Sequence, residues 1–124
     1  MCDEYRFYFE QLLTRMNSAV KVPFREVRFD GWEPRISDCH SNVDLWVHHH
    51  PETKPVRGWL FWPPNAAGQY TIMAHSVLEE DGQLVDITPL QRDISRDGLL
   101  FLKQLGTEAD FLAMKAASSQ VFFP

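Results

Sequence analysis

The chain has 124 residues, enough for one domain that buries a real core without disulfide staples. At 44% hydrophobic and 23% charged residues, its composition excludes disorder, collagen-like repeats and a disulfide-dense scaffold. Twelve Lys and Arg against seventeen Asp and Glu give a net charge of −5, which argues against nucleic acid and against an anionic membrane as partners.

Aromatic residues make up 13% of the chain, so a few large side chains are expected to build the core or line a groove. The two cysteines, Cys2 and Cys39, form no framework and read as free thiols in a reducing compartment. No apolar run approaches the roughly 18 residues of a membrane span. The first residues lack the basic and apolar regions of a signal peptide, which points to the cytoplasm. Residues 1–124 read as a single domain with a core over 32–90.

In chain order, residues 3 to 17 predict a helix, with Phe7, Phe9, Leu12, Leu13 and Met16 at three- and four-residue spacing. Residues 24 to 29 predict a strand after Pro23, closed by Asp30-Gly31. Residues 32 to 38 contain Pro34 and read as a loop. A second helix is expected from Cys39 to His49, capped by Asp38 or Ser37 and stopped by Pro51. Its apolar stripe is Cys39, Val43, Trp46 and Val47. Residues 59 to 62 predict a strand, closed by Pro63-Pro64. Residues 69 to 79 and 84 to 88 predict two strands joined by Asp81-Gly82, a strong hairpin signal. Residues 91 to 98 read as a polar loop in which Arg92 and Arg96 are solvated among Asp93 and Asp97. A short strand or turn at 99 to 102, a helix from Thr107 to Ala117 and an edge strand at 121 to 123 complete the chain. The fold class is α+β, an antiparallel sheet with helices packed on it.

Cys39, His75 and Asp86 make the strongest chemical claim. If Asp81-Gly82 is a two-residue turn, Glu80 pairs with Gln83, His75 lies opposite Thr88, and Asp86 lies opposite Val77. His75 and Asp86 are then diagonal neighbours on one face, with Cβ atoms ~7–8 Å apart or somewhat less. A register slip of a single residue separates them. Cys39 opens a helix, where the dipole favours a thiolate, and an adjacent imidazole lowers its pKa further. Asp86 fixes the tautomer of His75 and steadies the imidazolium. The Cys39 N–H is one natural oxyanion donor. Trp32 and Asn42 are weaker choices for a second, and Trp59 for lining a substrate groove.

This order, a cysteine opening a helix, a histidine on a strand and an acid on the next, resembles the papain-like and transglutaminase-like cysteine hydrolases. Ala74-His75-Ser76-Val77-Leu78-Glu79, followed by Val85-Asp86-Ile87-Thr88-Pro89, is similar to the transglutaminase core. Ser76 stands where transglutaminases carry an aromatic residue. Asp38-Cys39-His40-Ser41 resembles the helix start of small cell-wall peptidases. Cys39-His40, Asn42-Val43, Gly58-Trp59-Leu60 and the run from Asp81 to Pro89 resemble a group of small bacterial proteins. The resemblance implies a papain-like core, a thiol hydrolase or acyltransferase acting on a peptide or protein amide, and no cofactor.

Three readings of these residues compete. In the first they form a catalytic triad. In the second the same fold is a binding module, with Cys39 a small buried residue, His75 a satisfied sheet histidine and Asp86 a turn-capping group. In the third Cys39, His40, His75 and Asp86 hold zinc for hydrolysis. Adjacent Cys39 and His40 lie ~100° apart around a helix and do not easily converge on one ion. The run His48-His49-His50 reads as a helix C-terminus favoured by the dipole, not as a metal site.

Overall fold

Proline, glycine and capping residues set most of the element boundaries in this computed structural model, which describes residues 3–91, 94–117 and 120–123. Cys2, Arg92 and Asp93 lie outside the described residues. The architecture is α+β. The chain forms two compact units that alternate along the sequence. One takes the residues up to Lys21, Arg57–Ala74 and those from Gly98 onward, and the other takes Val22–Val56 and His75–Asp97.

In the first unit, helix α1 (Asp3–Thr14) is followed by a short 3-10 turn (Met16–Ser18), where the sequence pattern predicted one continuous helix. Phe9 and Leu12 are fully buried, whereas Phe7 is 63% exposed and leaves the expected stripe. Tyr8 packs against the core instead. Its hydroxyl accepts hydrogen bonds from the Trp59 indole and the Leu105 amide, both at 3.0 Å. Helix α3 (Glu108–Ala117) opens on a reciprocal cap. The Thr107 hydroxyl accepts the Asp110 N–H at 3.1 Å, and the Asp110 carboxylate accepts the Thr107 N–H at 3.2 Å.

Strand β1 (Lys54–Phe61) begins earlier than the predicted 59, and β2 (Tyr70–Glu80) and β4 (Leu100–Lys103) flank it. β1 pairs antiparallel with β4 from Gly58 opposite Lys103 to Phe61 opposite Leu100. A Cβ at position 58 would overlap the Leu102 carbonyl and the Phe101 ring, so glycine is required there by close approach. β5 (Gln120–Phe123) pairs antiparallel with residues 70–73 of β2. The core of this unit is Phe9, Leu12, Trp59, Phe61, Ile72, Phe111 and their neighbours.

In the second unit, helix α2 (Cys39–His49) packs Val43 and Trp46 onto Leu78 and Ile87. Val47 is half-buried, and Asn42 is buried on the same helix. Asp38 occupies the N-cap position but its carboxylate makes no cap bond, and Ser37 has a φ of 59°. The expected strand at 24 to 29 does not form. Phe24 makes only a single parallel bridge, to Asp86, while Phe29 and Trp32 close a small turn of their own. His48 and His49 end α2, with His49 stacked on Phe29 at 4.8 Å and His50 stacked on Trp46 at 3.8 Å. Among the described residues, no helix is long and apolar enough to cross a membrane.

Candidate active site

The hairpin positions two of the three expected residues. Asp81 and Gly82 have φ of 53° and 76°, the signature of a two-residue type I′ turn whose twist matches the strands it joins. Glu80 pairs with Gln83, Glu79 with Leu84 and Leu78 with Val85, the expected register. Strand β3 (Gln83–Val85) stops one residue before Asp86. There the backbone changes partner. Asp86 donates its N–H to the Pro23 carbonyl and accepts the Arg25 N–H, both at 2.9 Å. Its carboxylate still meets His75 on the diagonal, with Nε2 to Oδ2 at 2.7 Å and both residues 4% exposed.

Two further groups hold Asp86. The Thr88 N–H donates to Oδ1 at 3.0 Å, and Arg96 donates to Oδ2 at 3.3 Å. Arg96 also donates to the Thr88 carbonyl and lies over the Phe24 ring, 4.1 Å from its centroid. The expected solvated role of Arg96 is therefore corrected. Its planar fork spans a carboxylate and a carbonyl at once, which a polar loop does not require. Burial pushes the Asp86 carboxyl up, but the His75 hydrogen bond and charge, the Thr88 amide and Arg96 together hold it below the usual carboxylate range.

Cys39 is a free, buried thiol at the first position of α2. Two imidazoles reach it. Burial pushes the thiol up, and hydrogen bonds and charge from His40 and His75 outweigh this, lowering its pKa from 9.0 to about 6. For His75, burial lowers the pKa, but hydrogen bonds to Asp86 and Cys39 raise it from 6.5 to about 9. With Nε2 on Asp86, the ring nitrogen left for the sulfur is Nδ1. A thiolate and an imidazolium therefore coexist between those two pKa values.

His40 is the residue that sequence reasoning underrated. Helical spacing places it away from Cys39 on the α2 surface, yet hydrogen bonding and charge from His40 are among the causes that lower the Cys39 pKa. Its Nδ1 lies 2.6 Å from the Ser76 hydroxyl. Ser76 is fully buried next to His75. The unusual serine was the available signal.

The weaker expected residues go elsewhere. Asn42 accepts the Arg35 N–H at 3.0 Å and donates to the Arg35 carbonyl at 2.8 Å and the Thr88 hydroxyl at 3.1 Å. Its amide is spent on holding the segment before α2, not on an oxyanion. Trp32 packs half-buried against the Val43–Leu78 cluster, and its backbone N–H donates to the Phe29 carbonyl at 2.8 Å. Trp59 is fully buried in the core of the first unit and lines no groove.

Among the described residues, no group of three or more His, Cys, Asp or Glu has the arrangement to hold a metal ion. The zinc reading therefore lacks a ligand set there. No protein-family model, curated protein or solved structure matches the chain.

Proposed function

We propose that this protein is a small thiol-dependent amide hydrolase or acyltransferase on a papain-like or transglutaminase-like core. One observation carries the reading. A buried His75–Asp86 pair at 2.7 Å hydrogen-bonds a thiol that opens a helix. Each element has a physical reason to be there, and together they activate a nucleophile near neutral pH.

The reaction proceeds in two balanced steps. The Cys39 thiolate attacks an amide carbon, forming a C–S bond and a tetrahedral oxyanion. The oxyanion collapses, the C–N bond breaks, and the His75 imidazolium gives its proton to the departing amine. A thioester remains. Water or a second amine then attacks it while His75 takes the proton, the C–S bond breaks, and the thiolate returns. Asp86 stays ionised throughout and holds the ring. The substrate class is a peptide bond or a glutamine side chain in a peptide or protein. Two cysteines without a disulfide framework suit a reducing compartment, so we place the protein in the cytoplasm.

A second reading, a binding module on the same fold, draws on one fact: Cys39 is only 7% exposed. Alkylation separates the two. In the Cys2→Ser protein, iodoacetamide labelling of an activated Cys39 is half-maximal near pH 6 and levels to a plateau above it, and His75→Ala abolishes that plateau. Labelling that only climbs toward pH 9, as for an ordinary thiol near pKa ~8.5, would favour the binding module. Cys39→Ala should abolish acyl transfer without unfolding the chain, and a fully active Cys39→Ala protein would sink the enzyme reading.

A further inference from the structure

Helices α1 and α3 and the turn before α3 enclose a groove of about 490 Å³ in the first unit. That volume lies in the range of small-molecule sites. Three aromatic residues of α1 line it, Tyr5 and Tyr8 three positions apart and Phe7 between them. Helical spacing brings Asp110 and Met114 of α3 to the same groove. Phe7 leaves 63% of its surface in water beside these residues, so the apolar surface is contiguous rather than scattered. The Tyr8 hydroxyl accepts from the Trp59 indole and the Leu105 amide, which leaves its own O–H to donate. Among the described residues, Asp110 is the only charged group in the lining. Its Oδ2 accepts the Thr107 N–H and leans over Gly106, where a Cβ would come within 2.8 Å of it.

We propose that this groove binds a small, free quaternary ammonium compound that carries an oxygen acceptor. The charge follows from the lining. A carboxylate and the negative faces of aromatic rings both attract a cation, and the net charge of −5 favours its approach. The methylation follows from the hydrogen bonds on offer. A primary ammonium brings three N–H donors, each of which needs an acceptor when it leaves water. The groove offers only the Gln11 amide and a carboxylate with one oxygen already engaged by Thr107. A quaternary ammonium has no N–H to satisfy, and its methyl groups suit aromatic faces. The oxygen of the ligand takes the Tyr8 O–H. Cys39 has no part in this site, so the proposal stands or falls apart from the acyl-transfer reading.

Amide NMR titration of the full chain tests it, with choline as the probe. Choline should shift the amides of Phe7 and Asp110 saturably. Dimethylbutanol, the neutral isostere in which carbon replaces nitrogen, should bind at least about fivefold more weakly, and so should ethanolamine. Asp110→Asn keeps an acceptor for the Thr107 N–H and removes the charge. Phe7→Leu trims a ring that lies outside the core. Each should weaken choline about two- to fivefold while the remaining spectrum keeps its dispersion. The absence of saturable shifts, equal binding of the neutral isostere, or unchanged affinity in both variants overturns the proposal. Binding to phosphatidylcholine vesicles without binding of free choline overturns it in favour of a lipid surface. A trimethyllysine peptide that binds more tightly than choline overturns it in favour of a modified protein.

Discussion

The His75 ring and the Asp86 carboxylate meet at 2.7 Å across the diagonal of a hairpin, both withdrawn from solvent. Asp86 is thus the fixed anion that keeps a proton on His75. Asp86→Asn retains the shape but not the charge. His75 should then lose its proton at lower pH, and Cys39 should hold its own to higher pH. Alkylation of Cys39 at pH 6.5 is expected to fall about tenfold or more, since each pKa unit of lost pairing is about 1.4 kcal/mol. An unchanged rate would mean that the pair does not set the charge of the thiol.

The shifted pKa values of Cys39 and His75 define a working window. Acylation should follow a bell with an acid limb near pH 6, where Cys39 takes up its proton, and a basic limb near pH 9, where His75 loses its own. Stability moves in a related way. The raised His75 pKa contributes fully below its ordinary 6.5 and fades as pH rises through about 9. The lowered Cys39 pKa contributes above its ordinary 9.0 and fades as pH falls through about 6. Asp86, also lowered, contributes above the carboxylate range and loses its share in acid. NMR titration of His75 in Cys39→Ala should give a pKa below that of the parent, because one of its two anions is gone.

Arg96 links Asp86, the Thr88 carbonyl and the Phe24 ring. Arg96→Met keeps the stem and removes the fork. Urea denaturation should report a loss of about 1–3 kcal/mol, the cost of hydrogen bonds to a charged group. Acyl transfer should fall as well, because Asp86 Oδ2 then keeps only its His75 partner. Arg96→Lys should rescue little, since a point charge cannot span both oxygens.

Asn42 makes three hydrogen bonds while 2% exposed. Asn42→Leu fits the volume but strands the Arg35 N–H and carbonyl. A stability loss of about 1–3 kcal/mol or more is expected from the unpaired groups. The acylation-to-alkylation ratio should remain near that of the parent, because Asn42 acts on the loop before α2 and not on the oxyanion.

What could be read from the sequence was local. The Asp81-Gly82 turn fixed a register, and the register fixed which residues share a face, so the His75–Asp86 contact could be counted out in advance. The Pro51 stop of α2 and the Thr107 cap of α3 are equally local. The failures have a common physical origin in tertiary partners. Residues 24 to 29 have strand-like chemistry, but they make only isolated bridges, Phe24 to Asp86 and Phe29 to Trp32, so no ladder forms. Arg96 looks solvated among acidic neighbours because the carboxylate it binds lies ten residues back. Asn42 is polar on a helix face otherwise read as apolar, and only the loop folded over it explains its burial. His40 was set aside by an average rule for helical neighbours that a long ring in a first turn does not obey.

The brevity of β3 gives the site a particular fragility. The acid hangs three residues beyond a turn, with no slack between them. The two-residue tip holds Glu80 opposite Gln83, and a single codon inserted between Gln83 and Asp86 would send the carboxylate to the opposite side of the sheet from His75. Descendants of this chain are therefore barred from changing the length of the strand between tip and acid. A gene carrying such an insertion would encode a chain that keeps Cys39, His75 and Asp86 and has lost the contact between His75 and Asp86.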